Sequence, residues 1–115
     1  KTNNPVIIDD ENYVKVVTDK DNFAMYFSRS KIPFLRNIDK SFNFYIHVGV
    51  YGFLSQSIIH FSSLKPSKLE KIEMLECIRF IENGQKIKMI RIDHPTIGID
   101  TPNDLIEAKK YLESI

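Results

Sequence analysis

The sequence predicts an α/β fold in which a mixed sheet is flanked by helices. Three observations support this prediction. Two short segments near the start are rich in β-branched and aromatic residues, a segment in the middle alternates with a period of two, and two helix-capping signatures follow in the second half. Because strand and helix signals interleave, neither a helical bundle nor a β-sandwich is expected. The 115 residues show no repeat, linker or low-complexity tract, so they fit a single domain.

The first part of the chain predicts a loop, a hairpin and a second loop. Residues Lys1–Glu11 are mostly polar and predict a loop. Tyr13–Thr18 and Phe23–Ser28 predict the two strands of a β-hairpin, because the turn-forming segment Asp19–Asn22 separates them. Ser30–Asn43 is polar and lacks a period of 2 or 3.6, which predicts another loop.

Phe44–Gly52 carries the clearest strand signal. Its period of two predicts two faces. The core face holds Ile46, Val48 and Val50. The opposite, polar-aromatic face holds Tyr45, His47, Gly49 and Tyr51. On such a strand His47 and Tyr51 lie about 13 Å apart, and Gly49 lets a ligand approach the backbone. Two interpretations remain open. The face binds a ligand, or another helix covers it and His47 is a buried, hydrogen-bonded histidine.

The next part of the chain predicts two helices. Leu54–Phe61 predicts a short helix that ends before Pro66. Ser67 and Glu70 fit a capping box that begins a long helix, and Gly84 fits the residue just beyond its end. Three acids and one arginine recur every third residue along this long helix: Glu70, Glu73, Glu76 and Arg79. Because the helix is apolar over most of its circumference, at least one of these acids is expected to point into the protein.

The end of the chain predicts a strand at Lys86–Asp93 and a helix that runs to about Leu112. Thr101–Asp104 forms the capping box of this helix, with a proline at its first position. Asp100 precedes the box and has no capping role. A carboxylate in a strand-to-helix loop is a common magnesium ligand in open α/β sheets, but an acid also lies at helix N-termini for its favourable interaction with the helix dipole. Both interpretations of Asp100 remain open.

Two arginines are candidates for anion binding. Arg29 and Arg36 flank the loop that contains Pro33, and a guanidinium group binds a carboxylate or phosphate through two parallel hydrogen bonds. Arginines in surface loops are otherwise solvated, so spacing alone does not assign them.

Charge and cysteine content narrow the classes of function. The chain has 16 Lys and Arg against 15 Asp and Glu, which excludes a strongly basic nucleic-acid binder. The single cysteine, Cys77, excludes an intramolecular disulfide and favours a reducing compartment. No apolar run approaches the roughly 20 residues of a membrane span, and no signal-peptide pattern is present at the start. We therefore expect a soluble, intracellular protein.

Five segments, in order, resemble the carboxyl-terminal half of the CMP-Kdo synthetases, the 3-deoxy-manno-octulosonate (Kdo) cytidylyltransferases. These segments are Val14–Val17, Tyr26–Arg29 with Ile32 and Pro33, His47–Gly52, Leu69–Glu76 and Gly98–Leu105. The resemblance implies the carboxyl-terminal portion of a nucleotide-diphospho-sugar transferase-like fold. Residues 1–115 would be its sugar-binding and dimerisation half, and the amino-terminal nucleotide-binding half would lie outside them.

The resemblance also implies an activity and a set of site residues. Such enzymes join the β-anomer of Kdo to CTP with Mg²⁺, releasing pyrophosphate and giving CMP-Kdo for lipopolysaccharide or capsule synthesis. By resemblance, the substrate-binding residues are Arg29, Arg36, His47, Tyr51 and Glu76. Asp100 would bind Mg²⁺, and no catalytic residue beyond this metal ligand is implied. The complete enzyme is expected to be a cytoplasmic homodimer, and these residues alone are expected to be inactive.

The chain departs from the family pattern beside the sugar pocket. The family usually has Gln where this chain has Cys77, and Arg or Lys where this chain has Ile46. Losing an amide that both donates and accepts hydrogen bonds leaves the exact sugar open, and an amino-substituted sugar such as 8-amino Kdo is an alternative. A second alternative is a non-catalytic module that dimerises through the edge of the Tyr13–Ser28 hairpin.

Overall fold

In the computed structural model of the chain, strand β1 (Lys15–Thr18) lies between β2 (Ala24–Ser28) and β3 (Tyr45–Ile46). The structure describes residues 1–37, 41–93, 97–99 and 101–114. Both strand pairs are antiparallel, and the register places Val16 opposite Phe27 on one side and Tyr45 on the other. Five helices accompany this sheet in the described residues. The predicted α/β class with flanking helices is confirmed.

The predicted β-hairpin is confirmed as β1 and β2. Asp19 closes its turn, since Oδ1 accepts hydrogen bonds from the backbone N–H groups of Asp21 and Phe23, both at 2.9 Å. Asn22 adopts a left-handed conformation with φ of 59°, which asparagine tolerates better than most residues. The hairpin therefore forms from local signals that were visible in the sequence.

The first helix, α1 (Pro5–Asp9), lies where a loop was predicted, so that prediction is wrong. Asn4 caps the helix, because its Oδ1 accepts the backbone N–H of Val6 at 3.0 Å, and Pro5 occupies the first helical position. Ile8 turns inward and is buried. This one buried apolar side chain is what the five-residue helix contributes to the packing.

The predicted long helix is wrong, because it is divided into α3 (Lys68–Glu73) and α4 (Ile78–Glu82). Met74 ends α3 in the left-handed conformation, with φ 55° and ψ 49°. Both predicted ends are confirmed. The Ser67 N–H donates to Glu70 Oε2 at 2.9 Å. Gly84, with φ of 73°, closes α4: its N–H donates to the Ile81 carbonyl at 3.0 Å, and the next N–H, of Gln85, donates to the Phe80 carbonyl at 2.9 Å.

The other two helices were predicted near their observed positions. Helix α2 (Ser55–Ser63) confirms the predicted short helix. Helix α5 (Pro102–Glu113) begins with the predicted capping box, in which the Asp104 N–H donates to Thr101 Oγ1 at 3.2 Å and the Thr101 N–H donates to Asp104 Oδ2 at 2.8 Å. Capping chemistry was therefore the most reliable guide to the helix starts.

The predicted strands at Phe44–Gly52 and Lys86–Asp93 are wrong over most of their length. Only Tyr45 and Ile46 form strand pairs with β1. Ile46 lies opposite Lys15, the first residue of β1, so the strand has no further residue of β1 to pair with beyond Ile46. Residues 86–93 contribute an isolated bridge between Lys88 and Phe23. The predicted core face of the first segment also fails, since Val50 is 83% exposed.

The core lies between the hairpin and the segment that contains the α3–α4 break. Its buried members are Val14, Val16, Phe27, Leu75, Cys77 and Ile78. Lys15 is also fully buried, and its Nζ donates to the backbone carbonyl of Asp10 at 2.9 Å. The core therefore joins β1 and β2 to residues 75–78, which sets the position of every site described next.

Candidate functional site

The structure brings His47 and Tyr51 into direct contact. The Tyr51 hydroxyl lies 2.8 Å from His47 Nε2, whereas an extended strand would separate the residues by about 13 Å. The difference arises because β3 ends at Ile46 and the chain then folds back, with the Val50 N–H donating to the Val48 carbonyl at 2.7 Å. The two side chains lie together, as predicted, but they form a hydrogen-bonded pair and not two separate positions on a strand face.

His47 is half-buried against the core. Its ring packs edge-on against Phe27 of β2, with centroids 5.0 Å apart. Burial lowers the pKa of His47 below its usual value of 6.5, so the imidazole is neutral at pH 7. A neutral imidazole has one donor and one acceptor nitrogen. Nε2 is engaged by the Tyr51 hydroxyl, so Nδ1 is the ring nitrogen that could bind a further hydroxyl group.

Tyr51 adjoins two residues from the segment between α3 and α4. Burial raises the pKa of Tyr51, and the neighbouring Cys77 thiol and Glu76 carboxylate raise it further. Burial also raises the pKa of Cys77. Tyr51 and Cys77 are therefore both protonated at neutral pH, and the predicted sugar-binding residues His47, Tyr51 and Glu76 lie in one region.

Arg29 is anchored by backbone carbonyls. Its Nε donates to the Glu73 carbonyl at 2.8 Å, Nη1 to the Glu11 carbonyl at 3.1 Å and Nη2 to the Met74 carbonyl at 3.4 Å. Three of its five N–H donors are used in this way. Two donors are left without a partner among the residues that the structure describes.

Glu73 is a contact residue that sequence reasoning missed. Its carboxylate accepts hydrogen bonds from the Ser28 hydroxyl at 2.7 Å, the Arg29 backbone N–H at 3.0 Å and the Tyr26 hydroxyl at 3.4 Å. Burial alone would raise the pKa of Glu73, but these hydrogen bonds hold it below its usual value. The one signal in the sequence was the expectation that some acids of the helix point inward.

Glu70 confirms that expectation directly. It is 7% exposed and forms an ion pair with Arg79, whose Nε lies 2.7 Å from Glu70 Oε2. Arg79 stacks on Phe61, 4.4 Å from the ring centroid. A continuous row of stacked rings leads from there back to Tyr51 and consists of Phe61, Phe80 and Phe53. The ion pair is therefore connected to Tyr51 through this row of aromatic rings.

Two further predicted site residues are Arg36 and Asp100. Arg36 is exposed, and no contact within the described ranges joins it to Arg29 or His47. Asp100 lies outside the described residues. Among the described residues, no group of three His, Cys, Asp or Glu side chains could hold a metal ion.

The two groups of predicted residues meet at one segment of the chain. Residues 73–77 run from the last residue of α3 to the residue before α4. They contact Arg29 through the carbonyls of Glu73 and Met74, and Cys77 neighbours Tyr51. Arg29 follows β2 two residues after Phe27, the ring on which His47 packs. The arrangement offers a fixed cation beside neutral and acidic hydrogen-bonding groups, which suits a ligand that carries both a carboxylate and hydroxyls.

Comparison with known proteins identifies a family to which this chain is similar. Residues 1–87 match the family model described as cytidylyltransferase. The chain is 45% identical over 105 residues to a 3-deoxy-manno-octulosonate cytidylyltransferase from Christiangramia forsetii, and 46% identical over 107 residues to one from Chlorobium limicola. Each match covers 91% of this chain and 42% of the relative, so the chain spans less than half the length of these relatives.

A solved structure supports the same fold. The structure of a CMP:2-keto-3-deoxy-manno-octonic acid synthetase complexed with CTP superposes with a TM-score of 0.88 at 30% identity, covering 95% of this chain and 45% of that one. The expected carboxyl-terminal portion of a nucleotide-diphospho-sugar transferase-like fold is consistent with this match. Within the described ranges, no helix combines the length and apolar character that a membrane span needs.

Proposed function

Because the chain belongs to the cytidylyltransferase family, we propose that it supplies the acid-sugar pocket of an enzyme that couples Kdo to CTP. The product would be CMP-Kdo, with release of pyrophosphate, for lipopolysaccharide or capsule synthesis. The observation that carries this proposal is the convergence of Arg29 and the His47–Tyr51 pair on residues 73–77. A keto acid sugar has the carboxylate and hydroxyls that such a pocket recognises.

Each predicted residue has a definite role in this proposal. Arg29 and Arg36 bind the carboxylate of the sugar, Arg29 through the two N–H donors that its carbonyl contacts leave over. His47, Tyr51 and Glu76 orient the hydroxyls, because a neutral imidazole, a phenol and a carboxylate together offer donors and acceptors. The pocket thus holds the sugar in one orientation.

The reaction would then proceed by attack of the anomeric hydroxyl oxygen on the α-phosphorus of CTP. A new oxygen–phosphorus bond forms and the hydroxyl proton is released to water. The bond between the α-phosphorus and the oxygen that bridges it to the β-phosphorus breaks, and pyrophosphate leaves with that oxygen. Such transfers depend mainly on aligning nucleophile and phosphate, and the residues of this chain contribute that alignment for the sugar. The nucleotide would be bound by a part of the enzyme outside these residues.

Mg²⁺ is part of the proposal, and Asp100 is the residue that would contribute a ligand to it. Bound magnesium neutralises phosphate charge during the transfer. A carboxylate that directly precedes a capped helix suits a hard cation, which prefers oxygen ligands.

The identity of the sugar is a finer part of the proposal. Cys77 neighbours Tyr51 and stands at the position where the family usually has Gln. A thiol is a weak donor and a weak acceptor, so the wall beside Tyr51 is less polar than an amide would make it. Kdo is the preferred substrate in the proposal because the relatives are named for it, and 8-amino Kdo is the alternative.

We also propose that the enzyme is a cytoplasmic homodimer. An edge strand such as β2 can pair with a second copy of itself. A non-catalytic dimerisation module is the competing function for these residues.

Pyrophosphate release from CTP, Kdo and Mg²⁺ tests the proposal. We would compare the 115-residue chain with a fusion enzyme, in which the part of the Christiangramia forsetii relative that precedes its matched region is joined to residues 1–115. The expected result is release by the fusion enzyme and none by the chain alone. Turnover by the chain alone would contradict the proposed place of nucleotide binding, and a folded but inactive fusion enzyme would favour the dimerisation module. Replacing Kdo with 8-amino Kdo in the same assay decides between the two sugars.

A further inference from the structure

We propose that Glu73 is a positioning residue for Arg29, the arginine assigned to the sugar carboxylate, and this inference rests on the function proposed above. Glu73 is the last residue of α3, and Arg29 directly follows β2. The two residues are 44 positions apart in the chain, yet each contacts the other through backbone and side-chain atoms. This reciprocal contact fixes Arg29 before any ligand binds.

The first half of the contact runs from the Glu73 carboxylate to the end of β2. One carboxylate oxygen, Oε1, accepts the Ser28 hydroxyl at 2.7 Å, and the other, Oε2, accepts the Arg29 backbone N–H at 3.0 Å. Ser28 is 2% exposed, so this end of the strand is held in a buried position. Glu73 therefore fixes the backbone from which the Arg29 side chain extends.

The second half runs from the Arg29 guanidinium to the break between α3 and α4. In an unbroken helix the carbonyls of Glu73 and Met74 would accept N–H groups four residues further on. Here the Ile78 N–H donates to the Leu75 carbonyl instead, and Arg29 Nε and Nη2 occupy the carbonyls of Glu73 and Met74. The break in the helix and the placement of the guanidinium are thus one structural feature.

This arrangement orients the guanidinium through carbonyl groups. In the described part of the chain, all three guanidinium contacts are to carbonyl oxygens, and none is to a carboxylate. The Glu73 carboxylate accepts the backbone N–H of Arg29 rather than a guanidinium N–H. The positive charge and two N–H donors consequently remain for an anionic ligand, held in a fixed direction.

Glu73→Gln in the fusion enzyme is the sharpest test. An amide has nearly the size of the carboxylate, but its NH₂ group turns a donor towards Ser28 or towards the Arg29 N–H. We expect the KM for Kdo to rise about tenfold while the KM for CTP stays unchanged, because a misplaced arginine weakens one charge-assisted contact. Glu107→Gln, which changes an exposed acid on α5, is the matched control and should alter neither constant.

Ser28→Ala is a second variant that adds no new group. It removes the hydrogen bond to Glu73 and the one that Ser28 Oγ accepts from the Ser30 N–H. It should raise the KM for Kdo by a smaller factor, again with the KM for CTP unchanged. A folded Glu73→Gln enzyme with the parental KM for Kdo, or with an equal rise for both substrates, would overturn the inference and leave the proposed function standing. A parent fusion enzyme that releases no pyrophosphate from CTP and Kdo would overturn the proposed function, and this inference with it.

Discussion

Arg79 and Glu70 form a buried ion pair across the break between α3 and α4, with Arg79 Nε 2.7 Å from Glu70 Oε2. The two residues are nine positions apart. In an unbroken helix they would lie on opposite faces, about 13 Å apart along the axis. The ion pair therefore depends on the left-handed conformation of Met74, which turns α4 back towards the start of α3.

The ion pair predicts how stability depends on pH. Hydrogen bonding to Arg79 lowers the pKa of Glu70 from 4.5 to about 2, even though burial opposes the shift. A lowered pKa means that the stabilisation is fully present above pH 4.5 and is lost as the pH falls towards 2. Urea unfolding of the chain at a series of pH values should show this decrease. Glu70→Gln should make the decrease smaller and leave the part that comes from Glu73, whose pKa is also lowered. If stability decreases by the same amount in Glu70→Gln, other groups cause the pH dependence. The control variant Glu107→Gln should show the same decrease as the parent chain.

A pair of glycine substitutions tests the break itself. Met74 is 72% exposed and left-handed, a conformation that costs a residue with a side chain about 1 kcal/mol. Met74→Gly should therefore raise the free energy of unfolding by up to about that amount. Ile72→Gly, at an exposed position inside α3, should lower it by about 1 kcal/mol. Equal losses from the two substitutions would instead indicate an unbroken helix.

His47 should make the fold less stable in mild acid. Burial lowers its pKa, so the unfolded chain binds a proton more readily than the folded one as the pH falls below 6.5. The free energy of unfolding should therefore decrease between pH 7 and about 5, and His47→Gln should remove that decrease. His60→Gln, which changes an exposed histidine on α2, is the control and should preserve it. A protonated His47 in the imidazole spectrum of the folded chain at pH 6.5 would contradict this account.

Substitution of Asp100 distinguishes a magnesium ligand from an acid that only interacts with the helix dipole. If Asp100 is a magnesium ligand, the Asp100→Asn fusion enzyme should lose orders of magnitude in turnover with little change in melting temperature. The amide keeps the shape of the carboxylate but loses its charge. If Asp100 only interacts with the helix dipole, the same substitution should lower the free energy of unfolding by a few tenths to about 1 kcal/mol and leave turnover intact. Near-normal turnover of the variant would remove the metal assignment.

Local signals in the sequence were sufficient for several elements. The capping pairs Ser67 with Glu70 and Thr101 with Asp104, and the glycine at 84, fixed the starts of α3 and α5 and the end of α4. Each of these signals acts through hydrogen bonds between residues only a few positions apart. The hairpin was predictable for the same reason, since its turn closes on Asp19.

Long-range contacts decide the elements that the sequence did not predict. Nothing between Glu73 and Ile78 resembles a helix stop, and the break is compensated by Arg29, which is more than forty positions away. The extent of β3 depends on how far β1 reaches, and a period of two cannot report that. The approach of Tyr51 to His47 follows from the early end of β3, so the sequence identified the two residues but not their hydrogen bond.

The central claim is that this chain binds the acid sugar and not the nucleotide, and the Michaelis constants of the Arg29→Lys fusion enzyme test it most directly. Lysine keeps the charge but loses the fork that binds a carboxylate at two points. The account predicts that the KM for Kdo rises about tenfold or more while the KM for CTP stays at the parental value. Arg91→Lys, at an exposed arginine paired with Asp93, should change neither constant. An equal rise in both constants for Arg29→Lys would place Arg29 at the phosphates and contradict the account.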